Sequence, residues 1–283
     1  MLIHALVITY APGDLDDLLG ALALQCARTT IIDNTPGGAD LGAVAARHGA
    51  ELITLGTNVG IAAAQNMGIE RALEAGADAV ILFDQDSVPT DGMIPTLAQH
   101  LTEGVAAVGP VPREGDDVLV YTDHTFGPKR PATVGSDPFE VSFLLASGEL
   151  ISARALAEVG LMNAAWFIDH IDLEWGMRAR RAGYRLLAVP AARLDHRLGD
   201  RTVKVPGRRV VHVHAPIRNY YLTRNTIRLI SSDLLPLPWR VRYVYWIARF
   251  AAFNILVNPD RAERARYFAR ALGDGLRGRL GRW

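Results

Sequence analysis

Apolar runs alternate with segments of helical periodicity through the first third of the chain. LIHALVITY (2–10) has strand character and is stopped by Pro12 and Gly13. Across 14–27, Leu15, Leu18, Leu19, Leu22 and Cys26 recur at spacings of three or four, which predicts a helix. TTIID (29–33) and ELITLG (51–56) predict two more strands, the first halted by Asn34, Pro36 and the pair Gly37–Gly38. GIAAAQNMGIERALEAG (60–76) predicts a helix opened at Gly60 and closed at Gly76, and AVILF (79–83) a fourth strand. This alternation predicts an α/β fold, a Rossmann-like, mostly parallel sheet flanked by helices. Beyond it the pattern predicts a helix near 91–102, a strand at 105–111, a loop-rich insertion at 112–140 and strand and turn at 141–152. Helices follow at 153–160 and 172–183, a strand at 184–190, and helices at 215–233 and 238–257.

The 283 residues suit one large domain, or one domain with an appended piece. The division expected is a catalytic domain at 1–215, with halves 1–104 and 105–215, and a helical segment at 216–283. Composition is globular, with 49% apolar and 21% charged residues. Thirty basic residues balance thirty acidic ones, so the basic field that nucleic acid needs is missing. Charge is uneven, however: residues 260–283 carry seven arginines against Asp260, Glu263 and Asp274. Cys26 is the sole cysteine, which fits a reducing, cytoplasmic setting. MLIHALVITYAPGD reads as a first strand rather than a signal peptide, and no apolar stretch predicts a membrane span.

Candidate chemistry gathers at the carboxyl ends of the predicted strands, where open α/β sheets bind ligands. Strand one ends at Thr9–Tyr10, strand two at Asp33–Asn34, strand three runs on to Asn58 and Gly60, and strand four ends at Asp84–Gln85–Asp86. In extended chain Asp84 and Asp86 point the same way, and two such carboxylates suit a hard cation, Mg²⁺ or Mn²⁺. The plain alternative is a pair of solvated loop acids; placement after a βαβ series favours the metal. His196 is an acceptable third ligand, though an isolated histidine is more often ordinary surface. His212 and His214 carry less weight as a second histidine site.

In WFIDHIDLEWGMRARRAG, Asp169, Asp172 and Glu174 lie close together among Trp166, Phe167 and Trp175. A carboxylate in such half-apolar surroundings can be tuned as a general base, and Asp172 is the candidate. The alternative is strong for Glu174, which pairs with Arg178 at i+4. Ser147–Gly148 gives a small pair suited to close ligand approach or a simple turn. In RNYYLTRN, Arg218 and Arg224 either hold phosphate oxygens or pack at the surface.

With VITYAP, IIDN, NVGIAAAQN, FDQDS, ASGELIS, FIDHIDLEWGMRARRAGY, HRLGD and RNYYLTRN in place, the chain resembles a family 2 glycosyltransferase of GT-A fold. Within that family it is similar to bacterial dTDP-rhamnose-dependent rhamnosyltransferases. Two departures are visible: Ala146 stands where threonine is usual before Ser147–Gly148, and His170 where tyrosine is usual in FIDHID. The resemblance implies that Thr9, Tyr10, Asp33 and Asn58 line the nucleotide site, that Asp84 approaches ribose and metal, and that Asp86 and His196 ligate Mg²⁺ or Mn²⁺. It further implies that Asp172 is the catalytic base, with Glu174 and Trp175 on the acceptor side. The expected reaction is inverting, metal-dependent transfer of L-rhamnose to a glycan or lipid-linked saccharide in cell-wall, O-antigen or other polysaccharide synthesis. Rival readings are another donor such as UDP-galactofuranose, a nucleotidyltransferase, and a non-catalytic sugar-nucleotide-binding protein. The acidic loop APGDLDD argues against the nucleotidyltransferase.

PWRVRYVYWIARFAAFNILVNP (238–259) is almost wholly apolar yet carries Arg240, Arg242 and Arg249. Central arginines cost a spanning helix about 2.5–3.5 kcal/mol each, so a helix lying on the inner membrane or against protein is expected. A homodimer contact is the alternative.

Overall fold

The computed structural model describes residues 1–111, 135–195, 215–258 and 260–283, and backbone alone at 113–114, 117–118, 196, 202–203 and 211–212. The chain divides into two compact units, Met1–Ala164 with Ile171–Arg197, and Ala165–His170 with Leu198–Trp283. This differs from a single division after residue 215: the segment 165–170 counts with the second unit, and the first ends at Arg197.

The first unit opens with β1 (Ile3–Thr9), α1 (Asp16–Ala23), β2 (Arg28–Asp33), α2 (Gly42–Arg47), β3 (Glu51–Thr54), α3 (Ile61–Glu74) and β4 (Ala79–Asp84). It continues through β5 (Ser87–Pro89), α4 (Met93–Ala98), β6 (Val105–Pro110), the short β7 (Arg113–Glu114) and β8 (Asp117–Val118), and β9 (Phe139–Glu140). It closes with β10 (Leu150–Ser152), α5 (Ala153–Val159), α6 (Ile171–Arg181), β11 (Arg185–Val189) and β12 (Leu194–His196). Eight strands form one sheet in the order β3-β2-β1-β4-β10-β6-β11-β9. Neighbours β3, β2, β1 and β4 run parallel, as do β6 and β11; β10 runs antiparallel to both β4 and β6, and β9 to β11.

Every residue of β1 is buried, as a strand covered on both faces must be. Ile3, Ala5 and Val7 share a core with Leu15, Leu18, Leu19 and Leu22 on one face of the sheet. On the other face α3 comes so close at Gly68 that a Cβ there would lie 2.8 Å from Ile32 Cδ1 and 2.9 Å from Leu6 Cδ1. The helix α2 has no range in the sequence reading because its six residues bury only Ala45 and leave almost no periodic signal.

The second unit holds the backbone ribbon β13 (Thr202–Val203) and β14 (Val211–His212), then α7 (Pro216–Ser231), α8 (Leu237–Leu256) and α9 (Arg261–Arg277). Pro216 opens α7 at a position where its missing N–H costs nothing. Gly275 of α9 lets that helix close on α7, since a Cβ would meet Ile227 Cβ at 2.9 Å and the Arg224 carbonyl at 3.1 Å. Buried Arg264 of α9 donates to Asn254 of α8, and Phe250 meets Phe268 edge to face. Among the described residues no helix is long and apolar enough to cross a membrane.

Gly68→Val is expected to destabilise the protein by about 2–3 kcal/mol, because overpacking against Leu6 and Ile32 outweighs the roughly 0.5 kcal/mol gained in helix propensity. Urea unfolding with an unchanged m-value and a lower midpoint is the expected record.

Candidate active site

Strand register sets the first part of the site. Thr9 pairs with Asp33, Asp33 with Thr54, and Ile8 with Asp84, so the carboxyl ends of four parallel strands lie along one edge. Side chains then stitch the loops beyond that edge together. Gln85 Oε1 accepts from the Tyr10 N–H at 2.7 Å, and Thr35 Oγ1 accepts from the Ala11 N–H at 2.9 Å. Asn34 donates to Asn58 Oδ1 at 3.1 Å and accepts from the Val59 N–H at 2.8 Å, while Asn58 Oδ1 also accepts from the Gly60 N–H. Gly60 has φ +88° and ψ 159°, a conformation open essentially to glycine alone, and it turns the chain directly into α3.

Asp33 is fully buried, and both its oxygens are occupied. Oδ1 accepts from the Thr35 N–H and the Thr9 hydroxyl, and Oδ2 from the Ala39 N–H at 2.6 Å. Burial alone would raise its proton affinity; hydrogen bonds from Thr35, Ala39 and Thr9 outweigh it and hold the carboxyl below its ordinary value. Asp33 and Gln85 therefore shape the rim, whereas Tyr10 is exposed.

Asp84 ends β4, and Gln85 and Asp86 form the turn into β5, all three half-buried; the two aspartates therefore do not share an extended segment, a correction to the sequence expectation. The backbone of His196 pairs with Ser87, next to Asp86; the His196 side chain, and those of His212 and His214, lie outside the described residues. Among the described residues no group of three potential metal-binding side chains converges.

The second part of the site comes from the turn before β10. Because β10 runs antiparallel to β4, residues 147–149 return alongside residues 82–84. Ser147 Oγ accepts from the Asp84 N–H at 3.2 Å, the Gly148 N–H donates to the Leu82 carbonyl at 2.7 Å, and the Leu82 N–H donates to the Glu149 carbonyl at 3.1 Å. Gly148 sits at φ +84° with the Pro110 ring 2.9 Å from where a Cβ would be. Glu149 is buried, and among the described residues neither carboxyl oxygen has a hydrogen-bond partner. Burial, and then the nearby charge of Asp172, push its proton affinity well above the ordinary range. The same turn thus touches Asp84 at one end and comes within electrostatic reach of Asp172 at the other. Sequence reading missed Glu149; its signal was a lone acid before the apolar Leu150 and Ile151.

Asp172 is half-buried in the first turn of α6 and accepts from the Leu173 N–H at 2.8 Å. Glu174 and Trp175, expected on an acceptor surface, are instead buried ties. Both Glu174 oxygens pair with Arg178 Nε at 3.0 and 3.1 Å, Arg178 also donates to the Val159 and Leu161 carbonyls, and the Trp175 indole donates to the Gly160 carbonyl. Their reason for being there is to fasten α6 to the loop after α5. Asn66, in α3, fastens the next residues by exchanging two hydrogen bonds with Met162.

In the second unit, Phe167, Asp169 and His170 hold φ of +66°, +66° and +63°, each strained by about 1–2 kcal/mol. Fully buried Asn225 compensates, donating through Nδ2 to the carbonyls of Trp166, Ile168 and Asp169. Trp166 is buried, and Asp169 pairs with Arg218 at 3.0 Å. Arg224 is buried as well: it donates to Trp166 O, Gly281 O and Asn225 Oδ1 and stacks on Tyr220 and Tyr221. It therefore has no free edge for a phosphate, a correction to the sequence expectation. His170 meets Thr226 Oγ1 at 2.8 Å; since that hydroxyl donates to Leu222 O, the imidazole donates. Burial pushes His170 down to about 4, against the pull of Asp169.

Glu149 makes a stability prediction. Its native proton affinity is raised, so the folded state binds more protons than the unfolded one above the ordinary glutamate value of 4.5, and stability falls as pH rises from there. Glu149→Gln should remove that slope. The melting temperature of the variant relative to wild type is expected to be higher at pH 8 than at pH 5; a constant difference would contradict the protonated state.

The sequence profile of glycosyl transferase family 2 matches residues 31–160. Over 99% of this chain and 97% of its own length, dTDP-rhamnosyl transferase RfbF of Shigella flexneri is 31% identical. Among solved structures, GalNAc-T7 with UDP, GalNAc and Mn²⁺ superposes with a TM-score of 0.64 at 13% identity, over 96% of this chain and 56% of that one. S. aureus TarS gives 0.60 at 15% identity over 98% of this chain, which spans about half (49%) of TarS. TarS 1–349 with UDP-GlcNAc gives 0.59 at 15% identity, over 99% and 82% of the two chains. The chain therefore belongs to glycosyl transferase family 2, a glycosyltransferase of GT-A fold whose parallel strand ends carry the candidate site.

Proposed function

We propose that this enzyme transfers L-rhamnose from dTDP-rhamnose to a hydroxyl of a glycan or lipid-linked saccharide, with inversion at the anomeric carbon. The donor assignment draws on the likeness to dTDP-rhamnosyl transferase RfbF along nearly the whole of both chains. The observation that carries the chemistry is the hydrogen bond from Asp84 to Ser147 in the turn 147–149, with Glu149 of that turn within electrostatic reach of Asp172.

Thr9, Tyr10, Asn58 and Gly60 line the nucleotide end, with Asp33 and Gln85 fixing the loops around it. Asp84 and Asp86 suit a hard cation by donor chemistry, and the register of β12 with β5 brings the His196 backbone opposite Ser87. These three residues would hold Mg²⁺ or Mn²⁺, which when bound would offset the negative charge gathering on the departing diphosphate. Asp172 accepts the proton of the attacking hydroxyl as that oxygen bonds to the anomeric carbon and the bond to the diphosphate breaks. One base facing one leaving group inverts the centre. Ser147 and Gly148 admit the sugar closely. Trp166, Glu174, Trp175 and Arg224 leave the acceptor and phosphate assignments because their side chains are buried, and Asp169 and Arg218 leave them because they pair with each other. This reading sets the enzyme in the bacterial cytoplasm, on the cytoplasmic face of the inner membrane.

Asp172→Asn is expected to fold, to bind dTDP as wild type does, and to lose about 10²–10⁴-fold in transfer rate; near-wild-type turnover would remove Asp172 from the mechanism. In thermal shift with Mn²⁺ present, dTDP at a hundredfold excess over Kd should stabilise by about 2.7 kcal/mol, while UDP and GDP at equal concentration do less. Stronger stabilisation by UDP would transfer the donor assignment to a UDP-sugar.

A further inference from the structure

Helix α8 is apolar on both of its faces. One face turns inward within the second unit: Trp246 stacks on Phe250 at 5.2 Å, and Phe250 meets Phe268 of α9. The opposite face is exposed along its whole length, with Leu237 (72% exposed), Val241, Val244, Tyr245 (63%) and Leu256 (67%) at helical spacing. A helix apolar all round is ordinarily enclosed by protein or lipid. At 20 residues α8 presents a strip about 30 Å long. Of the fifteen large hydrophobic side chains exposed among the described residues, nine lie in the last 47 positions, so the exposure is concentrated rather than scattered. Leu272 and Leu276 add to it on α9.

The charge on this region has one sign. Residues 237–283 contain ten arginines against Asp260, Glu263 and Asp274, a surplus of seven in a chain whose net charge is zero. Asp274 is buried, paired with Arg270 at 2.9 Å and Arg279 at 3.6 Å, and so does not screen the surface. Arg261, Arg266, Arg277 and Arg282 are exposed. Arg249, in the middle of the apolar strip, donates to the Tyr245 hydroxyl at 3.3 Å and lies over that ring, so its long side chain can reach past the strip to its polar border.

We propose that the outward faces of α8 and α9 seat on an anionic lipid surface, the strip entering between headgroups and the arginines meeting their phosphates. Arginine beside exposed aliphatic and aromatic side chains is the complement of an anionic headgroup over acyl chain. A second copy of the chain would bring surplus positive charge against surplus positive charge. Nothing in this surface depends on the identity of the donor.

The test is flotation of the full chain with vesicles of phosphatidylcholine alone and of phosphatidylcholine with phosphatidylglycerol. Co-flotation with the anionic vesicles, roughly tenfold or more above the neutral ones and reduced by salt, is expected. Val244→Asp with Tyr245→Asp, both at exposed positions, should abolish it, and Arg261→Glu with Arg266→Glu should weaken it severalfold, with circular dichroism and dTDP-induced thermal shift unchanged in both. No flotation of wild type overturns the proposal, as does flotation that survives the first double variant. Sedimentation showing a wild-type dimer that this variant splits would give the face to a second copy and overturn it equally. Flotation without any nucleotide response would leave the lipid contact standing and count against the rhamnosyltransferase reading alone.

Discussion

Between β4 and β6 the sheet reverses direction, and much of the site follows from that reversal. A parallel strand in the place of β10 would enter from the opposite edge and leave the carboxyl end of β4 to its own loop. Running antiparallel, β10 instead delivers the turn that precedes it to that edge, where Ser147, Gly148 and Glu149 bond to the last residues of β4. The register tolerates no slip, because Gly148 is the one residue type that fits at φ +84° beside the Pro110 ring. A pleated strand that moved by one position would also drive Leu150 and Ile151 to the wrong faces. The carboxyl end of β4 and the turn 147–149 are thereby fixed to one another by hydrogen bonds.

Around this turn the side chains divide into those that shape the cleft and those left to act in it. Asp33, Asn34, Gln85 and Thr35 accept hydrogen bonds from backbone N–H groups of the loops around them, which ties those loops to one another. Glu174, Arg178 and Trp175 do the same for α6, holding its first turn in place from below. Preorganisation of this kind matters for catalysis because a base displaced by an ångström loses much of its effectiveness.

The alternation of strands and helices up to residue 84 was plain in the sequence because parallel strands covered on both faces read as nearly continuous apolar runs. Asp84, Asp86 and Asp172 stood out for their chemistry and their places at element ends. What local pattern could not show was which polar groups would be used up. Arg224 looks like a phosphate ligand until long-range folding brings Trp166 and Gly281 to it, and Glu174 reads equally as an acceptor contact or an i+4 partner until burial decides. Glu149 was hidden for the opposite reason, since only the antiparallel placement of β10 brings it into the buried end of β4, within electrostatic reach of Asp172. Helix α9 read as a basic tail because its buried side, Phe268 and Ala271 with glycine at 275, is small and broken by arginines.

The hold on residues 166–169 has an arithmetic of its own. The Asn225 amide carries two hydrogens, yet three carbonyl oxygens lie 2.7 to 3.1 Å from its nitrogen. At least one hydrogen must be divided between two acceptors, so the fastening cannot saturate. A peptide plane in this segment can rotate slightly and trade one acceptor for another while the amide stays bonded throughout. The left-handed residues thus share a single fastening, and one amide side chain stands behind the shape of the whole segment.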